Sequence, residues 1–264
     1  MQRLSGRVAV ITGAAHGIGL ALAEALAREG CRLVLTDVEA TALDAAAKRL
    51  TQAGAEVVAL PADVAREGDL IALAQATRAR FGEAHILCAN AGVTLAGRAM
   101  STLTPADWRW ILDVNVMGVV HTLAAFLPLL READEAHVMV TASGVGSFTG
   151  SAFNAPYSAS KAAVLSLTES LFRELKTEAP HIGVSALCPG AVATTLRASE
   201  RRRPGAVLEA DPVAVREHGL PASAVADMAL TAIRERRFWV ITHPQEGDLF
   251  EARGRSARTG EDPR

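Results

Sequence analysis

Basic excess, paired cysteines, uninterrupted apolar runs and tyrosine are all scarce in this chain. Twenty-seven Lys and Arg stand against 29 Asp and Glu, a formal net charge of −2. That balance excludes the basic footprint of a nucleic-acid binder. The three cysteines, Cys31, Cys88 and Cys188, form no C-x-x-C pair, and no histidine cluster has metal-ligand spacing. The thiols therefore read as small core residues of a reducing compartment, and no metal is expected. The first six residues, Met1 to Gly6, carry no signal-peptide core. The longest apolar stretch, Val114 to Leu130, is interrupted by Asn115, His121, Thr122 and Pro128, so it predicts a buried helix rather than a membrane span. A cytoplasmic protein with no membrane partner is expected. No internal repeat is evident. The run Arg201-Arg202-Arg203 reads as a solvated helix face.

What the chain does contain is apolar residues, at half of its 264 positions. That suffices for one large α/β domain. Strand-like runs fall near 7–12, 31–36, 56–60, 85–89, 137–142, 182–188 and 238–242. Helical patterns fall near 18–29, 39–53, 67–81, 105–130, 155–178 and 222–236. Strands that read as continuous Val/Ile/Leu/Ala runs predict a parallel sheet covered on both faces, and the alternation predicts a doubly wound arrangement. Residues 1–244 are expected to form the domain, with a long binding loop or lid at 194–220. Residues 245–264 are charged and without a sustained period, and predict a mobile tail.

Two motifs carry chemistry. The segment Val8-Ala9-Val10-Ile11-Thr12-Gly13-Ala14-Ala15-His16-Gly17-Ile18-Gly19 runs strand, glycine-rich turn, helix. Glycines let a pyrophosphate approach the main chain, and the first helical amides then face the anion. Asp37 stands eighteen positions after Gly19, at the end of the second strand-like run. A carboxylate there suits the ribose hydroxyls of an adenosine, a reading that position, strand end and acid type favour over a helix N-cap. The second motif is Tyr157-Ser158-Ala159-Ser160-Lys161, which holds the only tyrosine. A phenol and an ammonium at i and i+4 share a helix face. The cation is expected to lower the phenol pKa and to fit it for proton exchange at an alcohol or ketone oxygen.

Together these motifs resemble the short-chain dehydrogenase/reductase family, whose glycine spacing is T-G-x-x-x-G-I-G. The resemblance covers roughly residues 5 to 243. Asp63-Val64 resembles the family's adenine-contacting pair, and Asn90-Ala91-Gly92 its segment after the fourth strand. Asn115, Ser143, Tyr157 and Lys161 resemble its four catalytic residues. Pro189-Gly190, with Val192 and Thr194, resembles the segment that holds the nicotinamide carboxamide. The family fold is a single-domain Rossmann fold, a seven-stranded sheet in order 3-2-1-4-5-6-7 with helices on both faces. The cofactor set it implies is Gly13, His16, Gly17, Ile18, Gly19, Asp37, Asp63, Val64, Asn90, Ala91, Gly92, Tyr157, Lys161, Pro189, Gly190, Val192 and Thr194.

The implied activity interconverts a secondary alcohol and a ketone. Tyr157 exchanges the proton, Ser143 orients the substrate oxygen, and Asn115 holds a water beside Lys161. Asp37 repels a 2′-phosphate, and neither His16 nor Val38 is a fixed cation. NAD is therefore expected rather than NADP. Thr94, Leu95, Ser143, Val145, Phe148, Phe153, Tyr157, Ala191 and the 194–220 loop are the expected substrate walls. They are mostly apolar and lack a fixed acid or base. Phe238 to Pro244, with His218-Gly219-Leu220, resembles a subset acting on bulky aryl or terpenoid alcohols. A non-catalytic dinucleotide sensor and an NADPH-dependent ketone reductase are the rivals. The helices containing Trp108–Phe126 and Val164–Leu175 are apolar almost all round. Their outer sides are expected to pack against another subunit, as a homodimer or homotetramer, or beneath the 194–220 loop.

Overall fold

The structure is a computed structural model that describes residues 1–205 and 219–262. Seven parallel strands are built from the continuous apolar runs. They are β1 (Val8–Thr12), β2 (Arg32–Thr36), β3 (Val57–Ala59), β4 (Ile86–Ala89), β5 (Ala136–Thr141), β6 (Ile182–Cys188) and β7 (Trp239–Ile241). Their order is β3-β2-β1-β4-β5-β6-β7, as the resemblance implied. Side-chain alternation sorts β1 between two cores. Val8 and Val10 face one, and Ala9 and Ile11 face the other.

The helices that fill those cores are α1 (Gly17–Arg28), α2 (Ala40–Gln52), α3 (Glu67–Phe81), α4 (Pro105–Leu112), α5 (Gly118–Glu132), α6 (Gly144–Phe148), α7 (Ala155–Glu178), α8 (Ala222–Glu235) and α9 (Gln245–Thr259). α1, α2 and α8 cover one face of the sheet, and α3, α5 and α7 the other. Local chemistry fixes several ends. Thr104 and Asp107 form a reciprocal capping box at the start of α4, with Pro105 in its first turn. Gly82 closes α3 at φ 78°, a conformation that glycine adopts without strain.

Chain order places β1 between β2 and β4. The connections from these two strands diverge there, and a crevice opens at their C-terminal ends. The glycine turn leaves β1 at that crevice, and Asn90-Ala91-Gly92 leaves β4.

Three features depart from the sequence expectations. The helix expected over 105–130 runs from Pro105 to Glu132 but is not α-helical throughout, because Asp113–Met117 forms one π-helical turn between α4 and α5. The whole stretch Pro105–Glu132 has the length and hydropathy of a membrane span. It covers the sheet instead, burying Phe126 and Leu130 completely. Second, a short helix, α6, follows β5; its glycines hid it from periodicity. Third, residues 245–259 form α9 rather than an aperiodic tail. Phe250 of α9 meets Phe148 at 5.3 Å and Trp239 at 6.2 Å between ring centroids. One aromatic ring, Phe250, and the Arg253 hydrogen bond to the Phe148 carbonyl hold this polar helix, so no apolar stripe announced it.

Candidate active site

The glycine turn is held open from below. Asn90 donates from Nδ2 to the Thr12 carbonyl at 3.1 Å, and its own backbone N–H donates to Thr12 Oγ1 at 3.0 Å. Thr141 Oγ1 donates to Asn90 Oδ1 at 3.0 Å, which ties β5 to the same knot. A Cβ on Gly13 would lie 2.9 Å from the Ala91 backbone, and one on Gly19 would overlap the Gly13 carbonyl. Only glycine permits this cradle. Its backbone-lined shape and the helix N-terminus behind it fit a dinucleotide pyrophosphate. Thr194 caps the cradle, since a Cβ on Gly17 would lie 3.1 Å from its methyl.

Asp37 sits at the end of β2, beside the cradle. It accepts from Ala15 N at 3.1 Å and from Glu39 N at 3.0 Å. It does not cap α2, whose first turn follows Glu39. Asp63 Oδ1 accepts from Ala65 N at 3.0 Å, and Asp63 and Val64 line the crevice beside it.

The four expected catalytic residues converge at the other end. Ser143 precedes α6 and accepts from Gly146 N at 3.2 Å. Gly146 makes room for the phenol: a Cβ there would lie 2.9 Å from Tyr157 Cε1. Tyr157 and Lys161 lie on the first two turns of α7. Lys161 is buried, and its Nζ donates to the Thr141 carbonyl at 2.7 Å. The π turn carries Asn115 inward. Its Nδ2 donates to Val93 O and Ser160 Oγ, and its Oδ1 accepts from Val93 N at 2.8 Å. A Cβ on Gly92 would lie 3.3 Å from Asn115 Oδ1 and 3.4 Å from Lys161 Nζ. The two other hydroxyls near Ser143 are engaged. Thr141 donates to Asn90, and Ser147 Oγ donates to the Lys161 carbonyl at 3.0 Å.

Burial dominates the electrostatics. It pushes the Tyr157 phenol above its ordinary value. A hydrogen bond with Ser143 opposes this, and the Glu246 carboxylate adds to it. Burial also pulls Lys161 down to about 8. Lys161 is not among the groups that shift the phenol in this geometry. The ammonium is committed to Thr141 and lies 5.9 Å from the centre of the phenol ring.

A cavity of about 1000 Å³ joins the two ends, from Asp37 and Asp63 to Ser143, Tyr157 and Glu246. Gly13, His16, Gly17, Ile18, Asn90, Ala91, Gly92, Pro189, Gly190, Val192 and Thr194 line it, as do Thr94, Val145 and Ala191. Gly19 and Asn115 act from behind the wall. Three expected substrate walls lie elsewhere. Leu95 is buried in a small core with Val93 and Ile111. Phe148 is buried beneath α9, and Phe153 is 62% exposed at φ 58°. Sequence reasoning missed Trp110, Asn154 and Glu246, which line the cavity, as does Leu196 of the expected loop. Trp110 carried an apolar signal; Glu246 carried none.

The described part of the 194–220 insertion is strapped over this cavity. A 3-10 helix, Leu196–Arg202, contributes Ser199 Oγ to Thr94 N and Glu200 Oε1 to Ala96 N, each at 3.1 Å. Arg201 and Arg202 both pair with Glu39, and Arg203 pairs with Asp107 at 2.6 Å. The arginine run is thus a set of clasps and not a solvated face. Burial alone would raise the Glu39 carboxyl, but Arg202 and Arg201 outweigh it and hold the carboxyl below its usual range. Val207, Leu208, Asp211-Pro212 and His218 lie outside the described residues.

Residues 7–205 match the family model of the short chain dehydrogenases. The 1-deoxy-11-beta-hydroxypentalenate dehydrogenase of Streptomyces avermitilis is 32% identical over 254 residues, covering 94% of this chain and 90% of that protein. A short-chain dehydrogenase/reductase from Burkholderia phymatum, solved in complex with NAD, superposes with a TM-score of 0.93 at 38% identity. The match covers 100% of this chain and 98% of that one. A metagenomic short-chain oxidoreductase in complex with NADP superposes with a TM-score of 0.73 at 28% identity, covering 91% and 97%. With the glycine cradle, the strand order and these matches in agreement, this chain belongs to the short-chain dehydrogenase/reductase family of oxidoreductases.

Proposed function

We propose that this protein is an NAD-dependent dehydrogenase of secondary alcohols, with Tyr157 as its acid–base. The observation that supports this best is the convergence of Ser143, Tyr157 and Lys161 at the end of a cavity that begins beside Asp37. The bound nicotinamide would supply the hydride acceptor. Tyr157 takes the proton from the carbinol oxygen, and Ser143 holds that oxygen in line. Lys161 lies behind the phenol and would help hold the ribose of a bound cofactor. Asn115 fixes the segment from which Gly92 and Val93 face the site. Asp37 sets the preference for NAD by accepting from a ribose hydroxyl and repelling a phosphate. The walls that face the site, Val145, Ala191, Leu196 and Trp110, favour a bulky, mostly apolar alcohol.

A second reading, NADPH-dependent ketone reduction, is favoured by one observation. Arg202 lines the cavity and pairs with Glu39, two residues from Asp37. Released from Glu39, it would meet a 2′-phosphate. A homo-oligomer remains our expectation, because Met117 and Ala124 leave an exposed strip along the π turn and α5. The deciding experiment incubates the protein with NAD and a panel of secondary alcohols and follows absorbance of the reduced nicotinamide. Tyr157→Phe is the control. Turnover that appears only with NADPH and ketones would favour the second reading. Cofactor binding with no turnover of any panel member would favour a dinucleotide sensor.

A further inference from the structure

Among the described residues, Glu246 enters the catalytic end of the cavity from outside the expected residue set. It lies in the first turn of α9 and is 7% exposed. Its Oε2 has no hydrogen-bond partner among the described residues. Two glycines make room for the carboxylate. A Cβ on Gly144, next to Ser143, or on Gly190 would overlap its oxygens. α9 is held in place independently. Phe250 packs on Phe148 and Trp239, and Arg253 Nη1 donates to the Phe148 carbonyl at 3.4 Å.

Burying a carboxylate without a partner is costly. Burial does raise the Glu246 carboxyl above its ordinary range, with only His243 opposing it. His243 is itself engaged: its Nδ1 lies 2.8 Å from Thr242 Oγ1 and 3.3 Å from Gly190 N. The protein thus brings an acceptor beside Ser143 and Tyr157 and supplies it no donor.

We propose that Glu246 is a specificity residue, and that the substrate carries a hydrogen-bond donor, a second hydroxyl or an amine, close to the reacting carbinol. The apolar walls would hold the body of such a substrate, and Glu246 would select its polar end. This rests on the alcohol-dehydrogenase reading above.

The test uses matched pairs of secondary alcohols with the same apolar body, one member bearing a hydroxyl or an amino group on the neighbouring carbon. The wild type should favour the donor-bearing member by about 10- to 100-fold in kcat/KM, the worth of one hydrogen bond to a charged group. Glu246→Ala should bring that ratio close to one. Glu246→Gln keeps an acceptor and loses the charge. It should retain part of the preference for the hydroxyl and lose that for the amine, which separates the two donor sources. Melting curves and NADH titration establish that each variant is folded and loads cofactor. A wild-type ratio near one overturns the proposal whatever the variants do. So does an unchanged ratio in Glu246→Ala, including the case in which NADH affinity falls instead, since the partner of Glu246 would then be the cofactor. If no alcohol is oxidised and Tyr157→Phe behaves as wild type, the reaction assignment has failed. Glu246 is then judged by binding: donor-bearing alcohols should raise the melting temperature of the NAD-loaded wild type more than that of Glu246→Ala. Equal shifts would sink the idea.

Discussion

Lys161 donates its ammonium to the carbonyl of Thr141 at 2.7 Å, while the phenol ring of Tyr157 has its centre 5.9 Å away. The i, i+4 spacing brought phenol and cation to one helix face, and burial then decided which neighbour the cation took. In this state the phenol is protonated at neutral pH. Proton exchange at Tyr157 thus depends on the groups that arrive with cofactor and substrate.

Replacing Tyr157 with Phe should lower turnover by a factor on the order of 10²–10⁴. The ring still fills the space beside Gly146, so NADH affinity should change little. Steady-state rates with a fluorescence titration of NADH check both halves. A Phe variant at near-normal turnover would remove Tyr157 from the mechanism.

Lys161 also links stability to pH. Its pKa falls from 10.5, the unfolded value, to about 8 in the fold. Between these values the unfolded chain holds a proton that the folded chain has lost, so raising the pH through this window favours folding. Below about 8 both states are protonated, and the cost of burying the ammonium is felt in full. Lys161→Met lacks this dependence. Urea titrations should show the unfolding free energy of wild type, relative to Lys161→Met, rising with pH across the window. A flat difference would mean that the lysine is not buried as described.

Most of this site could be read in the sequence, because its backbone constraints are local. Gly13 and Gly17 announce the cradle, since a turn at positive φ against a neighbouring strand tolerates little else. Tyr157 and Lys161 announce themselves by helical spacing. Strand order came only through resemblance, because periodicity does not encode which strands pair. Glu246 was invisible, since its burial arises from the meeting of Gly144, Gly190 and the first turn of α9, far apart in sequence. The arginine run misled for a like reason. Three adjacent charges look solvated until Glu39 and Asp107 are placed opposite them. Leu95, Phe148 and Phe153 show the limit of reading walls from proximity to a motif, because neighbours in sequence point to different sides.

Asp37→Ala should relax the preference for NAD. The substitution removes an acceptor for the ribose hydroxyl and a charge that repels a phosphate. NAD affinity should fall by about 10-fold or more, as expected for hydrogen bonds to a charged group, and NADP affinity should hold or rise. Fluorescence titration of both reduced cofactors gives the answer. A wild type that already binds NADPH more tightly would support the second reading of the cofactor.

The clasp between Glu39 and the 3-10 helix should govern cofactor exchange. Glu39→Gln removes the charge that holds Arg201 and Arg202 across the adenosine end of the cavity. Partly exposed ion pairs contribute up to about 1 kcal/mol each. NADH should therefore dissociate several-fold faster, with the catalytic end unchanged in structure. Stopped-flow displacement of NADH measures this. The wild-type rate should also rise with salt, because these pairs are screened. A salt-independent rate, equal in wild type and Glu39→Gln, would show that the strap does not gate the cofactor.

Ending the chain at Pro244 tests α9 directly. A disordered tail could be removed at no cost. The helix seen here covers Phe148, which is 1% exposed, and its removal opens that ring and Trp239 to water. Uncovering most of an aromatic side chain costs roughly 1–3 kcal/mol, so the melting temperature should fall by several degrees. Phe250→Ala should reproduce much of that fall, because it removes the same ring contacts while keeping the helix. The two variants should differ at the catalytic end. The truncation also takes away Glu246, while Phe250→Ala leaves it at the start of the helix, next to Gly144 and Gly190. A shared loss of stability with a loss of substrate preference only in the truncation would separate the two duties of α9: Phe250 holds the helix down, and Glu246 reads the substrate. An unchanged melting temperature in both variants would return residues 245–264 to the status of a tail.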